Sequence, residues 1–178
     1  MTNDKRELAA RYDAATIYFH WLTVVLVVGL WVIGMTAGWF PRGPQRATVW
    51  SVHVMLGFAA TLVIAARIVW RAAFGYAPPP ANAGLLHVAS EAVHYLLLGL
   101  LVTVLATGIA TASYRGFNIF GVWEVPQFGS GDRATRRSLR EWHELAAHAT
   151  MVVAGVHAAA ALVHQYVWRD RLIDRMRL

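Results

Sequence analysis

The sequence predicts an all-α membrane protein: four transmembrane helices in an up-down bundle. Three observations carry this. First, 57% of the residues are hydrophobic and only 15% are charged, against about 25% charged in ordinary soluble domains. Second, four long runs lack Asp, Glu, Lys and Arg: 28 residues between Asp13 and Arg42, 20 between Arg46 and Arg67, 23 between Glu91 and Arg115, and 24 between Glu144 and Arg169. A helix needs roughly 20 such residues to cross the hydrocarbon core. Third, most of the connections are short, which favours antiparallel neighbours. A soluble bundle would need polar helix faces that these runs do not supply.

The elements follow in order along a single domain, 1–178. Residues 1–13 form a charged leader. The first helix lies near 16–39; Thr36-Ala37-Gly38 faintly resembles a cleavage site, but the run exceeds the 7–15 residues typical of a signal's apolar region, so it is read as a mature helix. "RGPQRA" makes a tight connection to the second helix, near 48–71. The three prolines of "AFGYAPPPANAG" stop any helix. The third helix lies near 86–113. The loop 114–138 holds Gly116, Gly121, Pro126, Gly129 and Gly131 and is expected to be irregular, with a short interfacial piece around "FNIFGVWEVP". Its end, "DRATRRSLREWHE", begins a helix that leads into the fourth span, near 142–168.

Charge gives an orientation. With four spans both termini share one side. If that side is cytoplasmic, it holds Lys5, Arg6, Arg11, Arg67, Arg71, Arg169, Arg171, Arg175 and Arg177, against Arg42, Arg46, Arg115, Arg133, Arg136, Arg137 and Arg140 outside. Nine against seven favours cytoplasmic termini by the positive-inside rule. Trp21, Trp70 and Trp168 fall near one interface, and Trp39, Trp50, Trp123 and Trp142 near the other. There is no cysteine, which excludes disulfides, thiolate metal sites, iron–sulfur clusters and covalent haem attachment.

The eight histidines are His20, His53, His87, His94, His143, His148, His157 and His164. Ionisable side chains within spans are costly and usually face the bundle interior. His143 and His157 are 14 residues apart, close to four helical turns, so they share a face and lie roughly 21 Å apart along the axis. His148 points about 140° away from His143, and His164 continues the His157 face roughly 10 Å further on. Two imidazoles on one face, one toward each end of a span, suit two haems stacked across a membrane. Antiparallel helices then supply second axial ligands at matching depths: His20 with His157, and His53 with His143. The same step takes His20 to Gly34 and His53 to Arg67. Gly34 would let a porphyrin approach the backbone, or is a packing residue. Arg67 would pair with a propionate, or snorkels to the interface. His94 competes with His20 or His157 as a ligand. His87, Glu91 and His94 share a rough face that also resembles a metal or proton site.

The chain resembles the prokaryotic cytochrome b561 family. The likeness is carried by "RYDAATIYFHW" around His20, "VHVMLG" around His53, "YRGFNIFG", "LREWHELAAH" around His143 and "GVHAAAALVHQYVWRD" around His157. The resemblance implies that these four histidines are the axial ligands of two haem b groups, in a multi-pass protein of the bacterial inner membrane with cytoplasmic termini. Helix three departs from the family's histidine pattern. The resemblance also implies electron exchange with the quinone pool, and an oxidoreductase that takes electrons from superoxide outside and reduces ubiquinone. Arg133, Arg136, Arg137 and Arg140 beside His143 would make a positive mouth for a small anion, or solubilise the loop and bind lipid phosphate. His164, Glu91 and His94 are candidates for proton supply to quinone. The rival readings are a cytochrome subunit docking a dehydrogenase, a hydrogenase or a periplasmic redox protein, and, from another class, a histidine-lined metal or proton transporter. Lipid is an expected partner and nucleic acid is not.

Overall fold

A computed structural model describes residues 11–80, 83–129 and 132–177. The leader positions Lys5 and Arg6, and Gly131 of the long loop, lie outside the described residues. Four helices account for most of the chain: α1 (Ala14–Thr36), extended by a 3₁₀ turn at Ala37–Trp39; α2 (Pro44–Ala73); α3 (Leu85–Arg115); and α4 (Arg133–Val163). α4 runs on into a π turn at His164–Trp168, and a 3₁₀ turn at Leu172–Met176 closes the chain. Each span is long and apolar enough to cross a bilayer, and in none is more than 11% of the apolar stretch buried within the protein. Side chains such as Val25, Leu62, Tyr95 and Val152 point outward. Such surfaces belong against lipid.

The sequence explains where three of the four helices begin. Asp13 caps α1, its carboxylate accepting from the Thr16 amide at 2.9 Å and the Thr16 hydroxyl at 2.6 Å. Pro44 occupies the first turn of α2, where its missing N–H costs nothing. Asp132 caps α4 through the Thr135 amide at 2.8 Å and hydroxyl at 2.9 Å. Within the spans, threonine hydroxyls donate back to carbonyls four residues earlier, as Thr61 does to Gly57 and Thr103 to Gly99. That satisfies each hydroxyl where water is absent.

The helices pack as two hairpins, α1 with α2 and α3 with α4, and the two hairpins meet far less closely. The first and last described residues gather at one end, where the Tyr12 amide donates to the Arg175 carbonyl at 3.3 Å. There Trp70 Nε1 donates to Asp13 at 2.9 Å, the Tyr76 amide donates to the same carboxylate at 3.1 Å, Trp21 Nε1 donates to the Met176 carbonyl at 2.8 Å, and Arg175 donates to the Pro79 carbonyl at 2.8 Å. The C-terminal turns thus strap across the open ends of α1 and α2.

The opposite end gives form to the long loop. The short piece expected around "FNIFGVWEVP" is a β-hairpin: Phe117–Ile119 (β1) and Trp123–Val125 (β2) pair antiparallel, Phe117 opposite Val125 and Ile119 opposite Trp123. Phe120 (φ 53°) and Gly121 (φ 75°) make a primed turn, closed by the Val122 amide on the Ile119 carbonyl at 3.0 Å. Such turns match the twist of hairpin strands. Ile119 and Val125 turn inward, and the Phe120 amide donates to buried Ser51 of α2 at 3.1 Å. The fourth helix starts at Arg133, within the "DRATRRSLREWHE" stretch expected to begin it, and the Asp132 cap stabilises this polar extension, which projects beyond the apolar run.

Asp13 ties three segments together. Burial alone would push its carboxyl up, but hydrogen bonds from Thr16, Trp70 and Tyr76 outweigh this and bring it down from 3.8 to about 2. A carboxyl depressed on folding stabilises the native state fully above its ordinary value and loses that contribution as pH falls through the folded one. Asp13→Ala is therefore expected to cost about 1 kcal/mol from the cap alone. Thermal unfolding in detergent should show the difference from the parent at neutral pH, and the difference should shrink as pH falls toward 2.

Candidate cofactor site

Five of the histidines and one arginine sort into two layers between the hairpins, joined by a single hydrogen bond outside them. In the layer nearer the β-hairpin, His53 of α2 faces His143 of α4. Their ring centroids are 6.2 Å apart with planes at 86°. His143 Nδ1 lies 2.9 Å from the Val104 carbonyl of α3, with the Thr107 hydroxyl at 3.4 Å. Donation to a carbonyl requires the proton on Nδ1, which leaves Nε2 with a lone pair. Trp50 braces His53 edge-on at 5.5 Å.

Glycines allow these rings to approach neighbouring backbones. A Cβ on Gly34 of α1 would lie 3.6 Å from His53 Cε1, and one on Gly108 of α3 only 2.9 Å from His143 Cε1. His53 Nδ1 is buried without a hydrogen-bond partner among the described residues, although the Leu30 main chain lies against the ring. Gly108 escaped the sequence reading. It was findable, since His94 plus 14 is Gly108, the same step that picked out Gly34 and Arg67.

In the layer nearer the termini, each helix contributes one residue: His20, Arg67, His94 and His157. The His94 and His157 centroids are 5.2 Å apart at 70°. His20 lies within electrostatic reach of Arg67, His157 and His94, and Trp21 meets it edge-on at 5.3 Å. Arg67 makes no ion pair with a carboxylate among the described residues.

The remaining histidines stand apart. His148 accepts a hydrogen bond from Trp31 Nε1 at 3.2 Å, the single side-chain bond between α1 and α4 among the described residues. His164 is buried at the start of the π turn, where its Nδ1 pairs with Asp170 and its ring meets Trp168 at 4.4 Å. His87 lies 3.7 Å from Glu91 on an exposed part of α3. Among the described residues no group of three or more His, Cys, Asp or Glu could hold a metal ion. The basic start of α4 is less positive than its arginine count implies, because Arg137 pairs with Glu141 at 2.6 Å and Arg140 with Glu144 at 2.7 Å. Arg136 keeps a buried Nε without a partner among the described residues, beside an open recess of about 310 Å³ that Thr111 and Leu139 also line.

The geometry can be tested against a haem iron. With a metal–imidazole bond of about 2 Å and about 1.1 Å from nitrogen to ring centroid, two trans imidazoles stand about 6 Å apart. The 6.2 Å between His53 and His143 fits that span. The 5.2 Å between His94 and His157 is too short for an iron between them. Gly108 gives the His143 ring room that a methyl group would take, whereas a Cβ on Gly34 would make ordinary contact with His53.

Gly108→Ala is expected to cost about 1–3 kcal/mol through overpacking against His143 and to lower the haem-to-protein ratio. Gly99→Ala, on the same helix with nothing within 4 Å, is the control. Equal pyridine haemochrome values in the two variants would remove the steric role given to Gly108.

The sequence profile described as Prokaryotic cytochrome b561 matches residues 11–177. The chain is 25% identical over 93% of its length, and 90% of the other, to "Cytochrome b561 homolog 2" of Escherichia coli K12. It is 29% identical over 93% of its length, and 95% of the other, to "Probable superoxide oxidase CybB" of Yersinia pestis. A third relative, "Cytochrome b561 homolog 1" of E. coli K12, is 26% identical over 93% of this chain and 96% of its own. Four apolar spans, imidazoles layered between two helical hairpins and a match over almost the whole chain lead to one assignment: the protein belongs to the prokaryotic cytochrome b561 family of haem-containing membrane electron carriers.

Proposed function

We propose that this protein is a di-haem b-type cytochrome that passes electrons through the inner membrane to the quinone pool, with His53 and His143 as one axial pair and His20 and His157 as the other. The carrying observation is the perpendicular His53–His143 pair, spaced for an iron. At the other layer, His94 is too close to His157 to be its trans partner, which supports His20 in that role. Gly34 serves as the backbone approach at the first layer. Arg67, without a carboxylate partner, serves as the propionate counter-charge at the second.

Haem b held by these imidazoles would supply a one-electron couple. The chain's own work is to fix the imidazoles. Val104 sets the His143 tautomer, Gly34 and Gly108 admit the rings, and the lipid-facing helices exclude water. The layers lie roughly 21 Å apart along α4. With cytoplasmic termini, the His53–His143 layer is on the outer side. Superoxide is the donor this reading prefers, as the Yersinia relative's name supports. Each superoxide gives up one electron to leave dioxygen, and ubiquinone takes two electrons and two protons. Arg133 and Arg136, neither in an ion pair among the described residues, hold the positive potential that steers the anion. His164, with Asp170 reaching toward solvent, serves the quinone end.

Two experiments test this. Alanine at His20 or His157 should remove the same spectral species, and alanine at His53 or His143 the other, each lowering haem from two to one per chain. Loss of one species from both the His20 and His53 variants would break the pairing. His164→Ala should keep both haems and slow superoxide-driven quinone reduction several-fold; an unchanged rate removes His164 from the quinone end.

A further inference from the structure

The two layers are built on one plan with one difference. On α3, the residues set against α4's imidazoles are 14 apart: Gly108 against His143 and His94 against His157. Four residues before each stands a carbonyl, Val104 before Gly108 and Ser90 before His94. At the first layer the glycine leaves space, and His143 reaches the Val104 carbonyl itself at 2.9 Å. At the second layer an imidazole fills that space. His94 interacts with the Ser90 carbonyl and meets the His157 ring edge-on, while His157 makes no hydrogen bond among the described residues. His94 thus occupies both the place and the partner that α3 gives His143 at the other layer.

We infer that His94 is a positioning residue: its ring, where backbone alone stands at the other layer, holds the His157 imidazole edge-on and makes the two haem sites electronically distinct. This rests on the reading of His157 as an axial ligand. Outer-shell partners of a metal-bound histidine fix its ring orientation and basicity. A ring held by another side chain, rather than by rigid helix backbone, is held differently. The arrangement also gives His94 a role other than that of a third ligand, since 5.2 Å leaves no room for an iron between it and His157.

The test uses the purified full chain with its haems, as His94→Phe, which keeps ring bulk but removes both nitrogens, and His94→Gln, which restores a polar group. The readouts are haem per chain, the low-spin ferric electron paramagnetic resonance signals and a redox titration. The expected result is retained haem, with a shift in the signal and midpoint of the haem that His157→Ala loses. The haem that His143→Ala loses should be unchanged, and His94→Gln should lie closer to the parent than His94→Phe. Parent-like signals in both variants overturn the proposal. So does loss of that haem from both variants, which would make His94 a ligand. Fewer than two haems in the parent would instead count against the di-haem reading itself, whatever the variants do.

Discussion

An imidazole inside a membrane has no water to bond, so a histidine in a span is costly unless the protein, or a group it holds, partners it. This chain gathers its histidines with one period. Fourteen residues are close to four helical turns, and the step recurs on all four helices: His20 and Gly34, His53 and Arg67, His94 and Gly108, His143 and His157. In an antiparallel bundle the period brings one member of each pair to either layer. The slot between the helical hairpins is therefore lined at two depths, and everything else about the fold serves to keep it open and dry.

The layers differ in what the period delivers. Toward the β-hairpin it delivers two histidines and two glycines. The rings press against bare backbone, and His143 takes a main-chain carbonyl. Toward the termini it delivers three imidazoles and the Arg67 guanidinium, which makes no ion pair with a carboxylate among the described residues. A cation in a low-dielectric site calls for an anionic partner, the role proposed above for a haem propionate. Glycine at one depth and cation at the other make the two sites chemically unlike before any substrate arrives.

The ends of the bundle are closed by different means. At the termini, Asp13 joins α1 to α2, and the C-terminal turns strap across through Trp21 and Pro79. At the other end, a two-stranded hairpin sits on Ser51, two residues from His53, and covers the first layer from above. The arginines that start α4 project beyond the apolar run, where two of them are already matched by glutamates one turn on. The positive potential there is smaller than a count of arginines implies.

Much of this was legible in the sequence because it is periodic or compositional. Charge-free runs set the spans, Pro44 and the triple proline set the breaks, and the 14-residue step placed His53 opposite His143 before any coordinates. The hairpin at 117–125 was not legible: its three-residue strands are too short to show alternation, and its turn depends on Phe120 taking a positive φ that sequence does not advertise. The pairing of Arg137 with Glu141 and of Arg140 with Glu144 is legible, as an i,i+4 spacing on one helix, though the count of arginines hides it. Most telling is α3. Periodicity fixed which of its residues share a face, but which side of that face turns toward α4 depends on how the two helices of that hairpin pack against each other and against their neighbours. Only the tertiary structure put Gly108 on His143 and His94 on His157, because helix rotation is set by contacts between helices and not by the order of residues within one.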